Sequence, residues 1–231
     1  KDLDCGVDFP ELLRRANDIP GDFLLRFMTS HPKDATEKLF DVMRDCKKVA
    51  PVIHLPFQSG SSRVLQAMNR RYTREQYLEK VAALRARIPD VVLTSDVIVG
   101  FPGETTAEFE ETLSLIEQVR FDALFTFIYS PRKGTPAAEM DDPMSREEKS
   151  ANFNRLVEAQ NRISLEKHQA YIGTVQRCLI DGESDDARCS LNARTPGNRL
   201  VHLNGDLSLI GTFADVKITG CSTWALFGEL V

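Results

Sequence analysis

Along the first 165 residues, short β-branched or apolar runs alternate with longer segments in which apolar residues return every three or four positions. Leu24 to Met28, Val52 to Phe57, Val91 to Val99 and Ala123 to Tyr129 read as strands, each followed by a helical pattern. The helix starts carry capping-box sequences, in which two side chains satisfy orphan backbone donors: Asp34 to Glu37, Thr73 to Gln76, Thr105 to Glu108 and Ser145 to Glu148. Behind them one face is apolar, as in Leu78, Val81 and Leu84 or Phe109, Leu113 and Ile116. Strand then helix, repeated about four times, implies parallel strands joined by right-handed crossovers, in a doubly wound sheet or a βα barrel. Function then belongs at the carboxyl ends of the strands.

The helix opened by Ser145 is expected to run to about Tyr171 and to stop at Gly173. Beyond it the period changes. Val175 to Ile180, Leu200 to Leu203, Val216 to Thr219 and Trp224 to Phe227 are short strand-like runs separated by Gly, Asn and Asp, including the turn dipeptide Asn204-Gly205. About 58 residues with four or five short strands fit a small closed β-barrel of the OB type. The boundary falls near residue 170, giving domains 1–170 and 171–231.

The four expected strand ends are polar: Thr29-Ser30-His31-Pro32, Gln58 to Ser62, Asp96 with Gly100-Phe-Pro-Gly-Glu104, and Tyr129-Ser-Pro-Arg-Lys-Gly134. Glycine-rich turns at one rim let backbone approach a ligand and aim helix amino termini at anionic groups. Taken singly, each has a structural reading. Gly100 to Glu104 is equally a tight turn, His31 a loop histidine, and Arg70-Arg71-Tyr72-Thr73-Arg74 with Arg63 a solvated helix face or a phosphate-binding patch. Their convergence is the informative signal.

The 231-residue chain is 42% hydrophobic, enough for one large core and a small one. No apolar run approaches the ~20 residues that span a bilayer, and no basic stretch leads into an apolar one at the amino terminus, so the chain reads as soluble and cytoplasmic. Cys5, Cys46, Cys178, Cys189 and Cys221 show no Cys-x-x-Cys spacing, which argues against a disulfide framework and a zinc site; they read as small buried residues. A formal charge of −5 does not advertise a nucleic-acid binder, so any RNA contact must come from local patches. The start at Lys1 suggests a fragment or a processed product.

Four runs carry a specific resemblance: His54-Leu-Pro-Phe-Gln-Ser-Gly-Ser61, Met68-Asn-Arg-Arg-Tyr-Thr73, Ser95 to Glu104, and Phe125 to Ala138. Together they resemble the methylthiotransferase branch of the radical-SAM superfamily. Arg194-Thr195, Asn198-Arg199-Leu-Val201 and Thr223 to Glu229 resemble the TRAM domain that this family appends for RNA binding. Gln58 to Ser61 and Tyr129 to Ala138 are most similar to the MiaB-type branch, which methylthiolates isopentenyl-adenosine next to the tRNA anticodon. The branch acting on threonylcarbamoyl-adenosine is a close alternative, and the branch modifying a ribosomal-protein aspartate usually differs at both places.

The resemblance implies an α/β chain: the last four strands of a six-stranded radical-SAM barrel, then an all-β OB-like TRAM barrel. In the family, one [4Fe–4S] cluster cleaves S-adenosylmethionine (SAM), the resulting radical removes a hydrogen from C2 of the adenine, and a second cluster supplies sulfur. Neither set of cluster cysteines occurs in this sequence. They are expected upstream of Lys1, and the chain alone is expected to be inactive, at most a tRNA-binding module. By motif position SAM contacts fall to Ser30, His31, Gln58, Ser59, Gly60, Asp96, Ile98, Gly100, Glu104, Tyr129 and Arg132. RNA contacts fall to Arg63, Arg70, Arg71, Arg194 and Arg199. Expected partners are the tRNA anticodon arm and an electron donor for cluster reduction, with the protein a monomer.

Overall fold

A computed structural model describes residues 6–28 and 31–231. In chain order it contains α1 (Phe9–Asn17), α2 (Glu37–Asp45), β1 (Val52–His54), α3 (Ser62–Ala67), α4 (Arg74–Arg87), β2 (Val92–Val99), α5 (Thr106–Val119), β3 (Ala123–Ile128) and α6 (Arg146–Gln169). The strands β4 (Val175–Glu183), β5 (Leu191–Arg194), β6 (Leu200–Leu203), β7 (Phe213–Cys221) and β8 (Leu226–Leu230) follow. Cys5 and Ser30 lie outside the described residues.

The first unit is a parallel sheet in the order β1-β2-β3, with helices packed on one face. Alternation along β2 decides which side chains meet them: Leu93, Ser95, Val97 and Val99 are buried, while Thr94, Asp96 and Ile98 are only partly covered on the other face. The covered face holds Phe57 stacked on Phe121 at 5.2 Å, and the Tyr77 hydroxyl donates to the Leu55 carbonyl at 2.8 Å. The other face is open, with Phe125 and Phe127 of the edge strand β3 each 52% exposed.

Of the expected run Leu24 to Met28, only Leu25 pairs, in a parallel bridge with Val49. Leu25 N–H donates to Lys48 O and Leu25 O accepts from Ala50 N–H; the next residue, Pro51, has no N–H to continue the ladder. Pro56 likewise shortens β1, yet the chain stays against β2 through the bridge between Gln58 and Val97.

Three expected capping boxes form in full, at Thr73, Thr105 and Ser145. The fourth differs: Pro32–Asp34 is a short 3-10 turn, and Thr36 caps α2 by accepting from Leu39 N–H. Helix α6 ends at Gln169, and Gly173 adopts a left-handed φ of 87° before β4.

The second unit is a closed barrel, β4-β5-β6-β8-β7. Its interior is Cys178, Ile180, Leu191, Ala193, Val201, Leu203, Val216, Ile218 and Leu226, all buried. Cys46 is also buried, whereas Cys189 and Cys221 are only partly so.

The barrel docks against the amino-terminal ends of β2 and β3. Arg199 reaches Asp122, Arg26 bonds Asn198, and His168 Nδ1 meets Ser222 O at 2.8 Å. Gly197 lies against Val92 so closely that a Cβ would collide with it.

Candidate functional site

The carboxyl half of β2 assembles one group of polar residues. Gln58 N–H donates to Asp96 O at 3.0 Å and Gln58 O accepts from Ile98 N–H at 2.9 Å, while Tyr129 N–H donates to Val99 O at 2.9 Å. Gln58 holds a φ of 67°, a left-handed conformation uncommon for a residue with a Cβ. This ladder brings Gln58, Asp96, Ile98, Gly100 and Tyr129 into one row. Asp96 and Ile98 face the open side, where His54 Nε2 lies 3.4 Å from Asp96 Oδ1 and the His54 ring meets Phe125 edge-on.

At the end of that row the Gly100 to Glu104 turn closes on itself. Glu104 Oε2 accepts from Gly100 N–H at 2.6 Å, and burial pushes the Glu104 carboxyl up to about 7 against the pull of that bond. Its other oxygen, Oε1, and the Tyr129 hydroxyl are buried without a hydrogen-bond partner among the described residues. Lys149 of α6 lays its stem over Gly100 and pairs with Asp142.

Other expected site residues are placed differently. Gly60 N–H donates to Thr112 Oγ1 at 2.9 Å, Ser59 Oγ stands 3.5 Å from the same hydroxyl, and a Cβ at Gly60 would overlap the Thr112 backbone. Ser59 and Gly60 therefore seat the loop on α5. Arg63 is held by both oxygens of Glu108 and by Gly103 O, which draws the Glu108 carboxyl down to about 2. His31 stands edge-on to Tyr72 at 5.5 Å. Arg132 is exposed on the loop after β3.

The arginines of the β-barrel lie at the other end of the sheet. Arg199 is buried, its guanidinium on Asp122 and over the Tyr171 ring, which turns it away from solvent. Arg194 is partly exposed and pairs with Asp181 at 3.0 Å. Between the units a cavity of about 690 Å³ is lined by Arg26, Phe125, Arg194 and Trp224 among others. Trp224 is 73% exposed; it sits in a motif readable in the sequence, but its exposure became visible only in the fold. From Val92 to Val99 the sheet is about 23 Å long at 3.3 Å per residue, so the two groups stand at opposite ends of it.

No helix among the described residues is long and apolar enough to cross a membrane. Among the same residues, no group of three or more His, Cys, Asp or Glu could hold a metal ion.

Residues 2–116 match the radical SAM superfamily, and residues 169–231 match the TRAM domain. The chain thus combines a segment similar to the radical SAM superfamily with a segment similar to the TRAM domain. It is 48% identical over 231 residues to a protein of Acetivibrio thermocellus named tRNA-2-methylthio-N(6)-dimethylallyladenosine synthase. A protein of Thermoanaerobacter sp. with the same name is 51% identical over 231 residues. Both alignments take in 100% of this chain and 48% and 49% of those proteins, so the chain spans about half the length of the curated relatives it matches. Among solved structures, coproporphyrinogen III oxidase from Escherichia coli, titled a radical SAM enzyme, aligns with a TM-score of 0.47 and 14% identity, covering 77% of this chain and 46% of that one. The closed five-stranded barrel is the TRAM unit.

Proposed function

We propose that this chain is the carboxy-terminal half of a tRNA methylthiotransferase that modifies C2 of N6-isopentenyladenosine beside the anticodon. The observation that carries the reading is the 48% identity over the whole chain to a relative of that name, on a sheet whose polar row stands where a ligand is expected.

The β2 row fits SAM. Asp96 offers a carboxylate toward the open face, Ile98 an apolar surface, and Glu104 Oε1 and the Tyr129 hydroxyl are polar atoms still lacking partners. Gln58, Asp96, Ile98, Gly100, Glu104 and Tyr129 would hold the cofactor, with Arg132 reaching its carboxylate from the exposed loop after β3. When bound, that cofactor supplies the radical and methyl chemistry; the residues of this chain bind it, orient it and exclude water. An iron–sulfur cluster does not fit the described residues, which provide no ligand set. For RNA, the exposed Arg71 and Trp224, with the half-buried Arg70 and Arg194, are suited to phosphates and to base stacking. The protein would act as a monomer in the cytoplasm, with a separate electron donor.

The test is an assay of the full-length protein with SAM, reductant and two substrates, isopentenyladenosine-containing tRNA and ribosomal protein. Methylthiolation of the tRNA supports the reading. Labelling of ribosomal protein with tRNA untouched overturns it.

A further inference from the structure

A second cavity, of about 430 Å³, opens on the outer side of the rim, between the 3-10 turn Pro32–Asp34 and the start of α4. His31, Lys33, Asn69, Arg71, Tyr72 and Lys80 line it. We propose that this cavity is a phosphate-binding site, occupied by a backbone phosphate of the RNA substrate. The choice of RNA as the source rests on the function proposed above.

Charge is the first argument. In a chain of net charge −5, Arg63, Arg87, Arg120, Arg155, Arg162 and Arg188 each hold a carboxylate. Lys33 and Arg71, which line the cavity, hold none among the described residues, nor does Arg70, whose charge acts on the His31 ring. Of the acidic groups, Asp34 acts on the His31 ring and Glu37 on Lys80. Lys33 and Arg71, with the partly buried Lys80, whose ammonium donates to Ala35 O at 2.6 Å, leave the cavity with an excess of positive charge, which an oxyanion would neutralise.

Hydrogen-bond donors are the second. Lys33 N–H donates to His31 Nδ1 at 3.1 Å, so Nδ1 is the acceptor nitrogen and the neutral ring carries its proton on Nε2. Burial, with Arg70 and Lys33, lowers the His31 pKa, which keeps the ring in this neutral form. The cavity thus combines an imidazole N–H, an ammonium and a guanidinium, all donors, as phosphate recognition requires.

The third is the aromatic wall. The Tyr72 hydroxyl donates inward to the carbonyls of Phe57 and Pro56 at 3.1 and 3.3 Å, which fixes the ring and leaves its body beside the cations. A fixed ring next to a phosphate site suits a nucleotide in an unpaired loop, whose base can stack. In this proposal His31 faces RNA.

The experiment uses the full chain and two probes: a labelled anticodon-arm RNA hairpin followed by anisotropy across a salt series, and inorganic phosphate followed through the His31 ring resonances. The variants are Arg71→Gln alone and Lys33→Ala with Arg71→Gln, with circular dichroism reporting that each folds. The double variant should weaken RNA binding about tenfold and lower the slope of log Kd against log salt by about 0.7, the value for one single-strand phosphate. Phosphate should move the His31 resonances in the parent and not in the double variant. If phosphate moves them but the RNA slope is unchanged, the site takes free phosphate and the RNA assignment is overturned. If phosphate has no effect and the slope is unchanged, the site itself is overturned, while RNA binding that persists leaves the tRNA reading standing. If the parent chain has no affinity for RNA, the RNA-binding role proposed for this chain fails, and the phosphate titration alone decides the cavity.

Discussion

Arg199 of the TRAM barrel and Asp122 at the start of β3 form a buried ion pair that joins the two cores of the chain. Asp122 also accepts from Leu93 N–H at 2.7 Å and from Lys167 at 2.9 Å, so one carboxylate ties together β2, α6 and the barrel. Truncating one partner of such a pair leaves an uncompensated buried charge, at a cost of roughly 3–5 kcal/mol. Arg199→Met should lower the urea midpoint accordingly, and adding Asp122→Asn should recover part of the loss. A single-variant cost under about 1 kcal/mol would show that the pair does not fasten the domains.

Glu104 gives the stability a defined pH dependence. Burial raises its carboxyl from 4.5 to about 7, so between these values the folded state keeps a proton that the unfolded state has released. Stability therefore falls as pH rises through that window and is level above it, by up to about 3 kcal/mol at 1.36 kcal/mol per unit. Glu108, drawn down by Arg63, acts in the opposite sense and only below 4.5. Glu104→Gln keeps an oxygen for Gly100 N–H and removes the titration. Urea unfolding at pH 5 and pH 8 should find the variant equal to the parent at the lower value and more stable at the higher one; equal stability at both contradicts the account.

Gly60 is set by packing. Gly60→Ala places a methyl into the Thr112 backbone, where neither helix nor loop can yield cheaply, and should cost on the order of 1–3 kcal/mol. Thermal melts of Gly60→Ala and Thr112→Ser would separate the clash from the hydroxyl contact, since the serine keeps the acceptor for Gly60 N–H. A neutral Gly60→Ala would contradict this placement.

Much of this was readable from residues. The capping boxes at Thr73, Thr105 and Ser145 mark α4, α5 and α6, because both halves of each device lie within four residues. Long-range effects were not readable. The ladder at Leu25 is cut by a proline in the partner segment, and β5 hides because only Leu191 and Ala193 of its four residues point inward. Arg199 looks like a surface arginine until the fold brings Asp122, 77 positions away, beneath it. The same holds for His31, whose neighbours Tyr72 and Lys80 come from a different βα unit.

Trp224 separates RNA contact from folding. Its side chain is 73% exposed, so Trp224→Ala should leave the melting temperature within about 1 °C or 2 °C, as a surface change does. Loss of a stacked base should cost about 1–3 kcal/mol in RNA affinity, read by anisotropy with a labelled anticodon-arm hairpin. Unchanged affinity would remove Trp224 from the RNA face.

The central claim concerns the tRNA modification, and nucleoside mass spectrometry tests it most directly. Transfer RNA from cells lacking the gene for the full-length protein should contain N6-isopentenyladenosine without its 2-methylthio group, and the intact gene should restore it. Undiminished 2-methylthio-N6-isopentenyladenosine in the deletion strain would contradict the account.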